Sequence, residues 1–228
     1  MQSPTLYRAF YVLRLAKKAG IRLPRATDDL YVDGYPRSGN SYLFGLIRFF
    51  YPRLSFAHHL HTPAALAIAL KKRIPTVVLV REPSDAIASN AHRKQHMQKR
   101  AVNGRLLDQL IDDYIGYYRF VLSHSSSLSM VNFMDLKNDP LSVLRSQISC
   151  YGMETPRYPI NEIALKAFQS TLEEREKTKP LGATSLPDGL SVVEKIAYRE
   201  LVMSRPMYLE AFALYERLFA DRTARTSA

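Results

Sequence analysis

The chain has 228 residues, of which 46% are hydrophobic and 23% charged. That balance suits one globular domain with a sizeable core and excludes a largely disordered or low-complexity chain. The formal net charge of +11 calls for an anionic partner, whether nucleotide, nucleic acid, acidic glycan or membrane surface. A single cysteine, Cys150, excludes an internal disulfide and a cysteine-based metal framework, so a reducing, cytoplasmic setting is expected. No run approaches the roughly 18 apolar residues of a membrane-spanning helix.

Residues 1–28 read as an N-terminal basic helix. Leu6, Phe10, Val12, Leu13 and Leu15 alternate there with Arg8, Arg14, Lys17 and Lys18, without the uninterrupted apolar stretch of a secretory signal. The helix is expected to pack on the domain, with peripheral membrane contact as the alternative use of its basic face. Leu30 to Asp33 is a short β-rich run, and Ser41 to Phe50 has helical apolar spacing through Leu43, Leu46, Ile47 and Phe50. Leu54 to Leu60 reads as a second strand. Thr62 and Pro63 open a helix as cap and first residue, which continues to Lys72. Thr76 to Val80 is apolar throughout, as in a parallel strand covered on both faces.

Pro83 begins a helix reaching about Gln98, with His92, Arg93, Lys94, Lys99 and Arg100 gathered toward its end. Arg105 to Leu122 is a long helix carrying Tyr114, Tyr117 and Tyr118. Leu128 to Phe133 reads as a strand, and Pro140 to Gly152 and Glu162 to Leu172 as helices. Residues 173–190 lose periodicity and read as a mobile loop. Ser191 to Phe219 is helical with a break at Pro206. Without internal repeats, residues 1–228 form one domain, and the alternating elements predict a three-layer α/β, P-loop-like fold: a central, mainly parallel sheet flanked by helices.

Three groups of residues could carry chemistry. Gly34-Tyr35-Pro36-Arg37-Ser38-Gly39-Asn40-Ser41 has the spacing of a phosphate-cradling loop, but Asn-Ser stands where a nucleotide-hydrolysing P-loop has Lys-Ser or Lys-Thr. Its cation is Arg37, inside the turn, and Ser38, Asn40 and Ser41 add side-chain donors. Arg81 follows the Thr76 to Val80 strand, with Ser89 eight residues on. Ligands gather at such strand ends, although Arg81 could instead pair with Glu82 or Asp85. His58, His59 and His61 end the second strand, where alternation would place His59 and His61 on one face. Histidine can act as a base near neutral pH, whereas a zinc site here has no Cys or acidic neighbour to complete it.

Taken together, these segments resemble the sulfotransferases that use 3′-phosphoadenosine-5′-phosphosulfate. Residues Tyr35 to Tyr42, Tyr-Pro-Arg-Ser-Gly-Asn-Ser-Tyr, are similar to that family's 5′-phosphosulfate loop, usually Tyr-Pro-Lys-Ser-Gly-Thr-Thr-Trp. Leu79 to Ser89 is similar to its 3′-phosphate segment, and Asn132 to Pro140 to its Tyr-Glu-Asp-Met-Lys-x-x-Pro stretch. The resemblance implies Arg37, Ser38, Gly39, Asn40 and Ser41 at the 5′ end, Arg81 and Ser89 at the 3′-phosphate, and Tyr42 and Phe133 at the adenine. The family's Arg-Lys-Gly motif has no clean match; Arg175, Lys177 and Lys179 are the substitutes. Counting back from Arg81 selects His59 as the family's histidine, whereas the His-x-Pro context selects His61.

The resemblance implies transfer of a sulfuryl group to a hydroxyl or amine, with His59 or His61 as general base and Arg37 offsetting charge on the leaving group. The adenosine bisphosphate, PAP, would be the product. No metal and no nucleic acid are expected, and the acceptor is a small molecule, glycan or lipid. The tyrosine helix and residues 173–190 are candidates to line its pocket. The alternatives are a P-loop kinase, with Asp135 as its best magnesium ligand, and a basic nucleotide- or nucleic-acid-binding module.

Overall fold

Thr76–Val80, the run without a polar face, forms a strand in which every residue is buried. The structure, a computed structural model, describes residues 22–99, 101–149, 155–178 and 192–226. The sheet among them contains β1 (Leu30–Gly34), β2 (Phe56–His58), β3 (Thr76–Val80) and β4 (Ser129–Asn132), in the order β2-β1-β3-β4. All three pairings are parallel, with Gly34 opposite Leu79 and Leu79 opposite Val131.

The helices are α1 (Asn40–Phe50), α2 (Pro63–Lys71), α3 (Pro83–Gln98), α4 (Gly104–Ser123), α5 (Phe133–Asn138), α6 (Pro140–Ser149), α7 (Glu162–Lys177), α8 (Val192–Met203) and α9 (Tyr208–Thr226). The two-residue period of the strands sends alternate side chains into two cores. Tyr31, Val78 and Val80 face one core with α2, α3, α4, α8 and α9. Leu30, Val32, Val77 and Leu79 face the other with α1, α6 and α7. Burying each such aliphatic side chain contributes roughly 1.5–3 kcal/mol, which is why an apolar strand needs helices on both sides. The three-layer α/β fold read from the sequence is the fold observed.

This topology also positions the site. After β1 the chain turns outward to β2, and after β2 it crosses back to β3 on the other side of β1, so the loops following β1 and β3 diverge. That divergence opens a crevice at the carboxyl ends of the strands.

Several boundaries differ from the sequence reading. Residues 22–28 carry no helix, and residues 1–21 lie outside the described part. The second strand stops at His58, because His59 and His61 have left-handed backbones, φ 62° and 52°. Residues 173–177 complete α7 and are not loop; Leu165, Phe168 and Leu172 bury one face of that helix and carry it past the loss of sequence pattern. Residues 179–191, with Lys179, lie outside the described part, as does Cys150. Thr62 caps α2 as expected, accepting from Ala65 N. Among the described residues, no helix is long and apolar enough to cross a membrane.

Candidate active site

Two glycines make the loop after β1 geometrically feasible. A Cβ on Gly34 would lie 2.5 Å from the Leu79 carbonyl oxygen, so β1 and β3 approach closely only without a side chain there. Gly39, at φ 95°, occupies the left-handed region, and a Cβ would press the Phe133 ring at 2.9 Å. Arg37 is also left-handed, φ 70°, a conformation that costs a non-glycine residue roughly 1–2 kcal/mol. Residues that oppose this cost come from far along the chain. Tyr118 Oη receives the Tyr35 N–H at 3.3 Å, stands 3.3 Å from Ser38 Oγ and donates to the Leu79 carbonyl at 2.7 Å.

Asn40 is turned inward: Nδ2 donates to the Tyr35 carbonyl at 3.0 Å and the Gly34 carbonyl at 3.4 Å. The residue in the P-loop lysine's place therefore braces the turn. By contrast, α1 begins at Gly39 without a side-chain cap, whereas α2, α3, α4, α5 and α7 are each capped by a side chain. The uncapped first turn directs the positive end of its helix dipole outward, a setting that favours an anion.

Arginines converge on this turn. Arg37 Nε donates to Ser89 Oγ at 3.1 Å, and Arg81 Nη1 donates to the Arg37 carbonyl at 2.9 Å. Arg81 is 6% exposed, lies over the Phe133 ring at 4.2 Å and pairs with Asp85 at 3.5 Å. Glu82 instead caps α3, accepting from the N–H groups of Ser84 and Asp85. Burial lowers the Arg37 pKa to about 10, aided by the charges of Arg93 and Arg81 and opposed by Glu176. The guanidinium stays charged at neutral pH in surroundings that stabilise an added anion.

The histidines part company. His61 is tied into the sheet: its N–H donates to both oxygens of the buried Asp33 carboxylate, at 3.1 and 3.0 Å, and Nδ1 lies 2.7 Å from the Gly34 carbonyl. His59 Nε2 lies 2.9 Å from Ser41 Oγ, on the first turn of α1, and its Nδ1 contacts His58 Nδ1. Burial is the main cause that pushes His59 down to about 3 and His58 to about 4, so both are neutral at pH 7. Left-handed backbones at His59 and His61 remove the strand alternation expected to give them one shared face.

His58, His59 and Ser41 open onto a cleft of about 900 Å³. Phe44, Phe168 and Arg175 also line it. Arg175 therefore belongs to the cleft on the His59 side. Neighbouring Glu176 also lines the cleft, and its charge acts on Arg37. Lys177 is exposed on the last turn of that helix. Tyr42 is 6% exposed, with its ring edge-on to Phe168 at 5.5 Å, so protein packing already occupies it. Phe133 packs between Gly39 and Arg81 at the mouth of the loop.

Sequence reading missed the supporting residues. Tyr114, Tyr117 and Tyr118 do not line the cleft; they are at most 2% exposed and lie in the core, where Tyr114 Oη donates to the Arg81 carbonyl at 2.7 Å. Their i, i+3, i+4 spacing on an apolar helix face was the available signal that they point inward. Asp33 was equally legible as a charge inside a short β-rich run, and the structure places it in a strand whose every residue is buried.

A search of solved structures finds mouse sulfotransferase SULT7A1 complexed with PAP, at a TM-score of 0.59 and 14% sequence identity, covering 87% of this chain and 85% of that one. At this identity the likeness establishes the fold, which is a sulfotransferase-type α/β fold. No protein-family model and no curated protein matches the chain.

Proposed function

We propose that the protein transfers a sulfuryl group from 3′-phosphoadenosine-5′-phosphosulfate to a hydroxyl or amine held in the cleft beside His59. One observation carries this reading: Ser41 belongs to the uncapped turn of the anion loop and also meets His59, which lines the cleft. A donor's 5′ anion and an acceptor's proton would thus be handled on two sides of one residue. The fold shared with a PAP-bound sulfotransferase supports the choice of nucleotide.

In this mechanism neutral His59 takes the acceptor proton at Nε2, displacing its contact with Ser41. The acceptor oxygen or nitrogen bonds to sulfur as the bond from sulfur to the 5′-phosphate oxygen breaks. Charge grows on that oxygen, and Arg37 with the first N–H groups of α1 stabilises it. Ser38, Asn40 and Arg81 hold the loop in its strained shape, and Ser89 orients Arg37. Ser89 and Arg81 also border the side of the crevice where a 3′-phosphate would lie, and Phe133 is the aromatic candidate for the adenine. His61 is a positioning residue, fixed by Asp33.

Calorimetry with PAP, ATP with magnesium, and an oligonucleotide tests the reading. Saturable 1:1 binding of PAP, with weaker or no binding of the others, is expected; preference for ATP or for the oligonucleotide would sink it. Sulfate transfer from labelled donor, followed by mass detection of the product, would then identify the acceptor.

A further inference from the structure

Outside the histidine cleft, three metal-ligating side chains meet. His92 and His96 stand one helical turn apart on α3, with ring centroids 4.2 Å apart, and Glu194 reaches them from α8. Each of the three offers one ligand atom, and these atoms all lie within 4.8 Å of one another. A second observation singles out the site. His92 is 2% exposed, and its Nε2 is buried without a hydrogen-bond partner. A buried imidazole nitrogen ordinarily finds a partner, because leaving one unsatisfied costs roughly 1–3 kcal/mol.

We infer that His92, His96 and Glu194 bind a borderline divalent cation of the zinc and cobalt type, which clamps α8 to α3. Two imidazoles and a carboxylate form a donor set suited to such ions, with solvent supplying the fourth position. His92 is fixed by burial, while His96 is partly buried and Glu194 exposed, so the outer two can close on an ion. With two neutral imidazoles and one carboxylate, the occupied site would carry one net positive charge.

The clamp bears on the loop site through the same two helices. Arg199 of α8 bonds Ser84 Oγ at 3.2 Å and pairs with Asp85 at 3.2 Å, and Asp85 in turn pairs with Arg81. An ion joining α8 to α3 therefore holds the helix that supports Arg81, in a structural role that stands apart from the transfer chemistry.

The experiment uses the untagged full chain, stripped with a chelator and titrated with Co²⁺ and then Zn²⁺. We expect one equivalent, visible d–d absorption from bound Co²⁺, and a rise in melting temperature with Zn²⁺. His96→Gln, at a partly exposed position, should weaken Zn²⁺ at least tenfold and abolish that rise, as should Glu194→Gln to a lesser degree. Binding should persist in a His58→Gln/His59→Gln variant. No saturable binding, binding unaffected by His96→Gln and Glu194→Gln, or binding lost only with the His58/His59 substitutions would each overturn the assignment.

Discussion

Arg81 donates from Nη1 to the main-chain carbonyl of Arg37 at 2.9 Å, so the residue following β3 supports the left-handed turn that follows β1. One arginine thereby fixes the backbone of another, at the point where the strand order changes direction. Arg81→Lys keeps the charge and loses the planar fork, while Arg81→Ala loses both. PAP affinity should fall about tenfold or more in the alanine variant, or roughly 1.4 kcal/mol, and less in the lysine variant. Equal PAP affinity in all three proteins would remove Arg81 from the donor site.

The glycines of the loop should differ in tolerance. Gly39→Ala meets a left-handed backbone and a phenylalanine ring that can shift, so a loss of about 1–2 kcal/mol is expected. Gly34→Ala meets the Leu79 carbonyl, held in the β-ladder. Urea unfolding should therefore show a larger loss for Gly34→Ala than for Gly39→Ala; the reverse order would contradict the close approach of β1 and β3.

Tyr118→Phe removes one hydroxyl that serves three groups around the loop. The Tyr35 N–H is left buried without its acceptor, at a cost of about 1–3 kcal/mol. A lower melting temperature together with weaker PAP binding is expected. Unchanged PAP affinity would show that the loop keeps its shape without this support.

Folding should weaken in mild acid. His58 and His59 have native pKa values of about 4 and about 3, against 6.5 unperturbed. As pH falls below about 6.5 the unfolded chain takes up protons that these native imidazoles refuse. Stability is therefore lost from about pH 6.5 downward until the native values are reached. Replacing both by Gln should flatten that part of a stability curve measured in urea at successive pH values; an unchanged slope would show that other groups govern it.

Catalysis should report the same value with the opposite consequence. If His59 is the base, its deprotonated form persists down to about pH 3, so its titration leaves turnover level between pH 5 and 8. His59→Ala should lower turnover by about a hundredfold or more with PAP affinity retained. His61→Ala should chiefly lower stability, because it deprives Asp33 and the Gly34 carbonyl of a side-chain partner. Full turnover in His59→Ala would move the base elsewhere.

Much of the fold was legible because its signals are local. Apolar Thr76–Val80 and the Thr62 cap each declare themselves within a few residues, and both took the expected form; the glycine spacing marks a turn in which Gly39 is left-handed. The second strand and α7 were misjudged at their ends for different reasons. Left-handed turns at His59 and His61 cut one short, and packing of Leu165, Phe168 and Leu172 carried the other onward. At the site, Arg37 and Arg81 could be grouped from sequence because each follows a strand end, and Ser89 because it lies about two turns into the helix after Arg81. The packing of Tyr42 against Phe168 could not be read there.

The sequence by itself determined a parallel α/β sheet and a glycine-bounded turn that carries Arg37, since strand period, turn sterics and helix capping act over short stretches. Tertiary structure decided what surrounds that loop. It joined Ser41 to His59 across 18 positions, Tyr35 to Tyr118 across 83, and His61 to Asp33 of β1 across 28. Those pairings depend on how the two helical layers close over the strands, and such contacts between distant segments leave no periodic trace in the chain.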